Sequence, residues 1–499
     1  MLKLFKVTTI TSIATLTYIL VGVVRAKFTA LTLGPSGVGI FSQALNFQQL
    51  IITISSLSIG LGVTKYVSKY NTDNDISKTS GLISCAFWMQ VIASFALMLL
   101  TLLFSGMFSK LLFSREGYGF FIFIATVGIP FFVIASTGES VLFGFGNYKA
   151  FTKARSFSSV LSLIPLFIFI SLMNINGGFI YLAVNGILTF SVYLYLLDKS
   201  LPKNLLKEIF SVKNFVSIRD NFRKFGKDLL SYGGASFGAG ILTMANIVFL
   251  RSLVIKNIGV EASGYYQVVF ALSAYYLTFF TNGLWSYFYP KISSIKEKGE
   301  YAREINNAFR FCAFGVVVSI AGLFLFRHAI IHMLFSAKFT ASSELFATEL
   351  SGDFFYILSY IMGTSLLASA KLRSYLGFNL LYTVCYIGFF ILLLKPLGLK
   401  AITTSYLAAN LVQFSALLYY HIKKMDFRLY ARNAMLILSG IVVAGAIVFI
   451  GSDDILTSIF KLILLAFWLY IMATGSEKNK IVDIAKSRLK LIFGANHAG

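Results

Sequence analysis

The chain has 499 residues, 57% of them hydrophobic and only 13% charged, against about 25% charge in an ordinary soluble domain. With a mean hydropathy of +0.79, and apolar runs of about 20 residues recurring along its length, it is excluded from the soluble classes and reads as a helical protein of many membrane spans. The net charge of +23 would suit a nucleic-acid binder, but the basic residues gather in every second loop, the positive-inside pattern of an inner membrane protein, so nucleic acid is set aside.

The N-terminal stretch, MLKLFKVTTITSIATLTYILVGVV, begins like a signal peptide. Its apolar run is too long, however, and it enters Arg25 without a small-x-small cleavage site, so it is expected to remain as the first span. Fourteen spans are predicted, at roughly 9–33, 38–63, 81–104, 119–144, 156–173, 178–197, 229–255, 263–288, 309–326, 350–370, 375–394, 401–421, 433–451 and 455–473. With both termini in the cytoplasm, the inner stretches hold roughly 31 of the 43 Lys and Arg and the short outer loops roughly 7. The basic stretch 198–228 reads as an interfacial helix on the inner leaflet. It divides an N-lobe (1–197, six spans) from a C-lobe (229–421, six spans); two additional spans (422–474) and a basic cytoplasmic tail (475–499) follow. Arg25 precedes Gly34 and Gly39 much as Arg251 precedes Gly259 and Gly264, which favours a parallel repeat about an axis along the membrane normal. The expected fold is therefore all-α and polytopic, with two six-helix lobes related by a pseudo-two-fold and two extra C-terminal helices.

Along that chain, Gly233, Gly234, Gly238 and Gly240 offer a small-residue face for close helix packing. Pro130 and Pro165 lie inside spans and are expected to kink them. Cys85, Cys312 and Cys385 form no CxxC, so neither a disulfide nor a metal site is expected, and no cofactor.

The sharpest chemical signals are Arg25 and Arg251. An arginine near mid-span costs about 2.5 to 3.5 kcal/mol on insertion scales, so it is rarely idle. Its guanidinium stays charged and matches phosphate oxygens bidentately; the bland alternative is a clamp between helices. Lys27, two residues on, faces elsewhere and is expected to snorkel. Glu349 and Asp353 are one helical turn apart, a carboxylate pair suited to proton coupling or to a structural ion pair, with Glu349 nearer water. Glu139, with Lys149, Lys153 and Arg155 just beyond, could close an inner gate or sit on a solvated helix end. Asn46, Gln48 and Gln49 could bond sugar hydroxyls or neighbouring helices, Asn46 and Gln49 sharing one face. Lys461, deep in the last span, has no account beyond snorkelling. His328 and His332 lack a third ligand; Asp73-Asn74-Asp75 lacks a nucleotide-binding fold; Gly144-Phe145-Gly146 lacks the Lys and Ser/Thr of a phosphate loop.

Two blocks carry a family resemblance. The first is the turn Gly34-Pro35-Ser36-Gly37-Val38-Gly39 with its exit Gly62-Val63-Thr64-Lys65-Tyr66-Val67; the second is residues 334–376, with the pair Gly352-Asp353 and the exit Ala370 to Arg373. Over roughly 7–421 the chain resembles the Wzx-type O-antigen and enterobacterial common antigen translocases of the multidrug/oligosaccharidyl-lipid/polysaccharide exporter superfamily. Close relatives commonly have twelve spans, and this chain reads as having two more. The resemblance implies a non-enzymatic, alternating-access flippase, ion- or potential-coupled. It would move an undecaprenyl-diphosphate-linked oligosaccharide from the cytoplasmic to the periplasmic leaflet, among membrane lipids and with an O-antigen polymerase and a chain-length regulator as protein partners. It implies that Arg25 and Arg251 neutralise diphosphate or acidic sugars and that Asp353 responds to protons or substrate charge. A cation-coupled drug antiporter of the same superfamily is the alternative. A polymerase or glycosyltransferase would need a large outer loop bearing catalytic groups, and none is read here.

Overall fold

A computed structural model describes residues 2–202, 205–209, 218–295, 297–449 and 454–475. The expected interfacial helix over 198–228 lies partly outside the described residues, and the basic tail beyond Gly475 wholly so. All regular structure among the described residues is helical, and twelve segments are long and apolar enough to cross a membrane.

Two of the twelve must cross more than once. Ser12–Ser56 has 45 residues, which as one straight helix would be about 68 Å long, over twice the hydrocarbon core. It breaks at Gly34, whose φ of 64° and ψ of −176° fall in a region that essentially only glycine occupies. Pro35 follows, its ring presetting φ for the first turn of the next arm. Tyr148–Ser200 has 53 residues and breaks at Asn174, with φ 50° and ψ −129°. The chain turns back on itself there: a Cβ added to Gly177 would lie 1.8 Å from the carbonyl oxygen of Phe169. Counting the two arms of each broken segment separately, the twelve segments supply fourteen arms of spanning length, the number expected from the hydropathy.

Polar turns punctuate the helices. Asn74 takes a left-handed conformation with φ 54°, and the Asp75 carboxylate accepts the backbone N–H of Lys78 at 2.9 Å. Asp73-Asn74-Asp75 is thus the capping turn of helix Ile76–Leu103. Gly144-Phe145-Gly146 ends one helix, and Asn147 caps the next by accepting from Ala150 at 3.1 Å. Pro130 lies inside the span Gly119–Gly144, two residues past the interruption at Gly128, and Pro165 lies inside Tyr148–Ser200, three residues past the interruption at Ser162, so both stand where their spans break.

The chain packs as two compact units. The first comprises Met1–Tyr275, Ala329–Leu345 and Ala370–Ala409; the second comprises Tyr276–His328, Phe346–Ser369 and Asn410–Gly499. In the first, Lys227–Asn257 lies close along the first helix and its continuation. Its small face permits this approach: a Cβ on Gly233 would fall 2.4 Å from the Ser58 carbonyl oxygen, and one on Gly240 would touch Thr53 at 3.3 Å. Gly238 meets Leu376 instead, at 3.2 Å. In the second unit, the last two helices, Ala431–Phe449 and Ile455–Met472, pack on Lys298–Leu325. Gly440 there admits Trp468, Phe354 and Val317, all 3.4–3.5 Å from where its Cβ would stand. The three cysteines are free.

Because the reversal at Asn174 leaves no room for a side chain, Gly177→Ala is expected to lower the thermal unfolding midpoint in detergent by several degrees. Gly106, which has open space where a Cβ would go, should accept alanine with no measurable change.

Candidate functional site

The first unit is organised by a crossing of two hairpins. Each follows a glycine of positive φ, Gly34 at 64° and Gly259 at 126°. Five residues on, Gly39 and Gly264 bring the two backbones together. A Cβ on Gly39 would stand 2.2 Å from the Val260 carbonyl oxygen, and one on Gly264 would stand 2.0 Å from that of Pro35. Pro35 and Val260 are each the residue after their turn glycine, so the contact is reciprocal, the relation a local two-fold produces.

Arg251 is built into this crossing. Its Nη1 donates to Ser42 Oγ at 2.9 Å and its Nη2 to Gln267 Oε1 at 2.6 Å. Ser42 and Gln267 each lie eight residues past their turn glycine, so matching positions of the two hairpins converge on one guanidinium. The Tyr266 and Phe270 rings flank it at 5.1 and 5.0 Å, and the residue is 1% exposed. Each hydrogen bond to a charged group is worth about 1.5–3 kcal/mol, and a desolvated cation–π contact about 2, which together offset the burial. Beside it, Gln43 Nε2 donates to the Val248 carbonyl at 3.0 Å and to Ser252 Oγ at 2.9 Å.

Arg25 is held differently. It is half-buried, with the phenols of Tyr18, Tyr181 and Tyr275 within electrostatic reach, and no carboxylate among the described residues pairs with it. Gly22 makes room for one of these phenols: a Cβ there would lie 2.8 Å from Tyr275 Oη. Lys27 does not snorkel. Its Nζ donates to the carbonyls of His332 at 3.1 Å and Phe335 at 2.8 Å, and so satisfies orphan groups at a helix C-terminus, where a cation is favoured. Among the described residues, Arg25 is thus set among phenols, while Arg251 bonds Ser42 and Gln267.

Glu139 connects back to Arg25. Its Oε1 lies 3.5 Å from Arg155 Nη1, its Oε2 accepts from Tyr193 Oη at 3.4 Å, and Arg155 stands 5.8 Å over the ring of Tyr18. Of the amides, Gln48 is structural, its Nε2 donating to the carbonyls of Ala125 at 2.7 Å and Leu182 at 3.2 Å. The Asn46 amide nitrogen is shielded and has no hydrogen-bond partner among the described residues, and Gln49 on the same face is exposed.

The carboxylates belong to the second unit. Asp353 and Glu349 are 0% and 2% exposed, and Tyr276 Oη donates to Asp353 Oδ2 at 2.8 Å. Glu349 had been expected nearer water. It is buried because helix Phe346–Ala368 is packed from its first turn, with Phe346 and Leu350 sealed on either side of it. Lys461 does not snorkel either: it is 3% exposed, its Nζ 5.4 Å over the Phe324 ring, which Arg327 also covers at 4.0 Å.

One polar cluster escaped the sequence reading. His421, 0% exposed, places Nε2 2.9 Å from Ser365 Oγ and Nδ1 2.8 Å from the Leu417 carbonyl oxygen; Tyr301 Oη donates to Ser365 Oγ at 3.1 Å. With Lys423 and Lys424 beside it, His421 looks in sequence like part of a solvated helix end. The only hint is the apolar face it shares with Leu417 and Phe414 at helical spacing.

The sequence profile of the polysaccharide biosynthesis protein family matches residues 30–344. The chain is 25% identical over 422 residues to the lipid III flippase of Escherichia coli (strain K12), covering 83% of this chain and 97% of that protein; the lipid III flippase of Shigella flexneri matches to the same extent. Among solved structures, it is similar to the inward-facing conformation of a multidrug resistance MATE family transporter of the MOP superfamily, with TM-score 0.67 and 14% identity over 84% of this chain and 98% of that one. It is also similar to the lipid II flippase MurJ in an inward closed conformation, with TM-score 0.66 and 14% identity over 96% of this chain and 100% of that one. At these identities the structural likeness is one of fold.

If Arg251 clamps the crossing, removing its charged-group acceptor should cost stability. Gln267→Leu is expected to lose roughly 2 kcal/mol, read as a fall in thermal midpoint, while Gln49→Leu on the exposed face leaves the midpoint unchanged.

Proposed function

Since the chain belongs to the polysaccharide biosynthesis protein family, we propose that it is a lipid-linked oligosaccharide flippase of the MOP superfamily. Its cargo on this reading is an undecaprenyl-diphosphate-linked O-antigen unit, carried from the cytoplasmic to the periplasmic leaflet of a Gram-negative inner membrane. Both termini are cytoplasmic in this scheme. The O-antigen polymerase and chain-length regulator act on what it delivers.

The observation that carries this is Arg25. A permanently charged guanidinium sits in a membrane-spanning helix among phenols, with no carboxylate partner among the described residues, which suits a site for an anion that comes and goes. A diphosphate supplies such an anion. Arg251 takes the other role open to it, holding the hairpins together through Ser42 and Gln267. Asn46 and Gln49 face the sugars in this scheme, and the pair Glu139–Arg155 gates access to Tyr18 and Arg25. The backbone contact at Gly39 and Gly264 is a closed end of the pathway, which alternating access requires to part. Asp353, Tyr276 and Glu349 couple transport to protons through the second unit.

In a host lacking its own translocase, Arg25→Ala should abolish most long-chain polysaccharide at normal protein level, and Arg25→Lys should restore part of it. Wild-type polysaccharide from Arg25→Ala would refute the anion role. Asp353→Asn should flatten the pH dependence of translocation; an unchanged profile would remove proton coupling. The buried pair Glu349 and Asp353 also suits a cation-coupled drug antiporter. That reading predicts drug resistance on expression, lost in Asp353→Asn, with no change in polysaccharide.

A further inference from the structure

A groove of about 730 Å³ opens on the first unit, walled by Thr17 of the first helix, by Lys153, Ser156 and Phe157, and by Tyr195 and Leu196 of Leu163–Ser200. One end is basic. Lys149 and Lys153 are exposed one turn apart on helix Tyr148–Leu161, and neither meets a carboxylate among the described residues. Lys199 is hydrogen-bonded to the hydroxyl of Tyr195, which lines the groove, and stands 4.4 Å over its ring. The other end is apolar, with Phe157 58% exposed and Leu196 beside it. These side chains lie within a segment long enough to span a bilayer, where an exposed apolar face suits acyl chains. Between the two ends, the Ser156 hydroxyl oxygen is shielded from solvent and has no hydrogen-bond partner among the described residues.

We infer that this groove seats one anionic glycerophospholipid of the surrounding leaflet. Its phosphate lies between Lys153 and Lys199, Ser156 donates to a phosphate or ester oxygen, and an acyl chain runs along Phe157 and Leu196. Charge complementarity selects the anionic headgroup, since lysines near a membrane surface are drawn to such lipids. Size and setting select a phospholipid over a lipid-linked oligosaccharide. The volume is that of a site for one small ligand, about 300–1,000 Å³, and its walls belong to segments long enough to span a bilayer. Because Thr17 precedes Tyr18, whose ring carries Arg155, a lipid seated here braces the helix that bears Arg25.

The full chain in nanodiscs of phosphatidylcholine, alone or with about a third phosphatidylglycerol, tests this through its thermal midpoint. Phosphatidylglycerol should raise the wild-type midpoint by several degrees. The double variant Lys153→Gln/Lys199→Gln should match wild type in phosphatidylcholine and lose most of that rise. Lys110→Gln, at a lysine paired with Glu116 elsewhere, should keep it. Should the double variant fold poorly, Ser156→Ala carries the test, with the phosphatidylglycerol needed for half the rise increased several-fold. A full rise in these variants, no rise in wild type, or displacement of phosphatidylglycerol by undecaprenyl diphosphate at equal concentration would overturn the assignment.

Discussion

The structure of the first unit depends on two glycines that let backbone touch backbone. In lipid there is no hydrophobic gain from pressing helices together, so packing and interhelical hydrogen bonds must hold them. Gly39 on the carbonyl of Val260 and Gly264 on that of Pro35 supply the first. Only at that separation can Ser42 and Gln267 reach the same guanidinium. Any larger residue at either glycine would spread the arms and leave Arg251 charged in an apolar site with its acceptors out of reach, the situation that makes broken buried ionic contacts so destabilising.

The same accounting separates the two arginines that look alike in sequence. Arg251 has both of its terminal Nη atoms hydrogen-bonded by the protein itself. Arg25 has phenols around it and no carboxylate among the described residues. A charge in an apolar span must be met by something, and at Arg25 the groups within reach are the phenols of Tyr18, Tyr181 and Tyr275. Glu139 lies 3.5 Å from Arg155, which stands 5.8 Å over the ring of Tyr18, one of those phenols.

The second unit treats its charges another way. Asp353 is answered by the Tyr276 phenol, and Lys461 by the face of Phe324. The last two helices are integral to this packing, with Trp468 donating to Ser439 Oγ at 2.9 Å and lying against Gly440.

Hydropathy and turn chemistry alone determined the class, the number of crossings, the G-P break at Gly34 and the paired glycines, because the bilayer demands about 20 apolar residues per helix and only glycine accepts the backbone angles found there. Sequence could also nominate Arg25, Arg251, Glu349 and Asp353, since a charge in an apolar run is visible without coordinates. What each one touches was decided by the fold. That Lys27 would find helix-end carbonyls 305 and 308 residues away, that Gln48 would be glue, that Lys461 would turn inward and that His421 would be sealed with Ser365 all depend on partners distant in the chain. Linear spacing shows which face of a helix a residue occupies, and only packing shows what lies opposite that face.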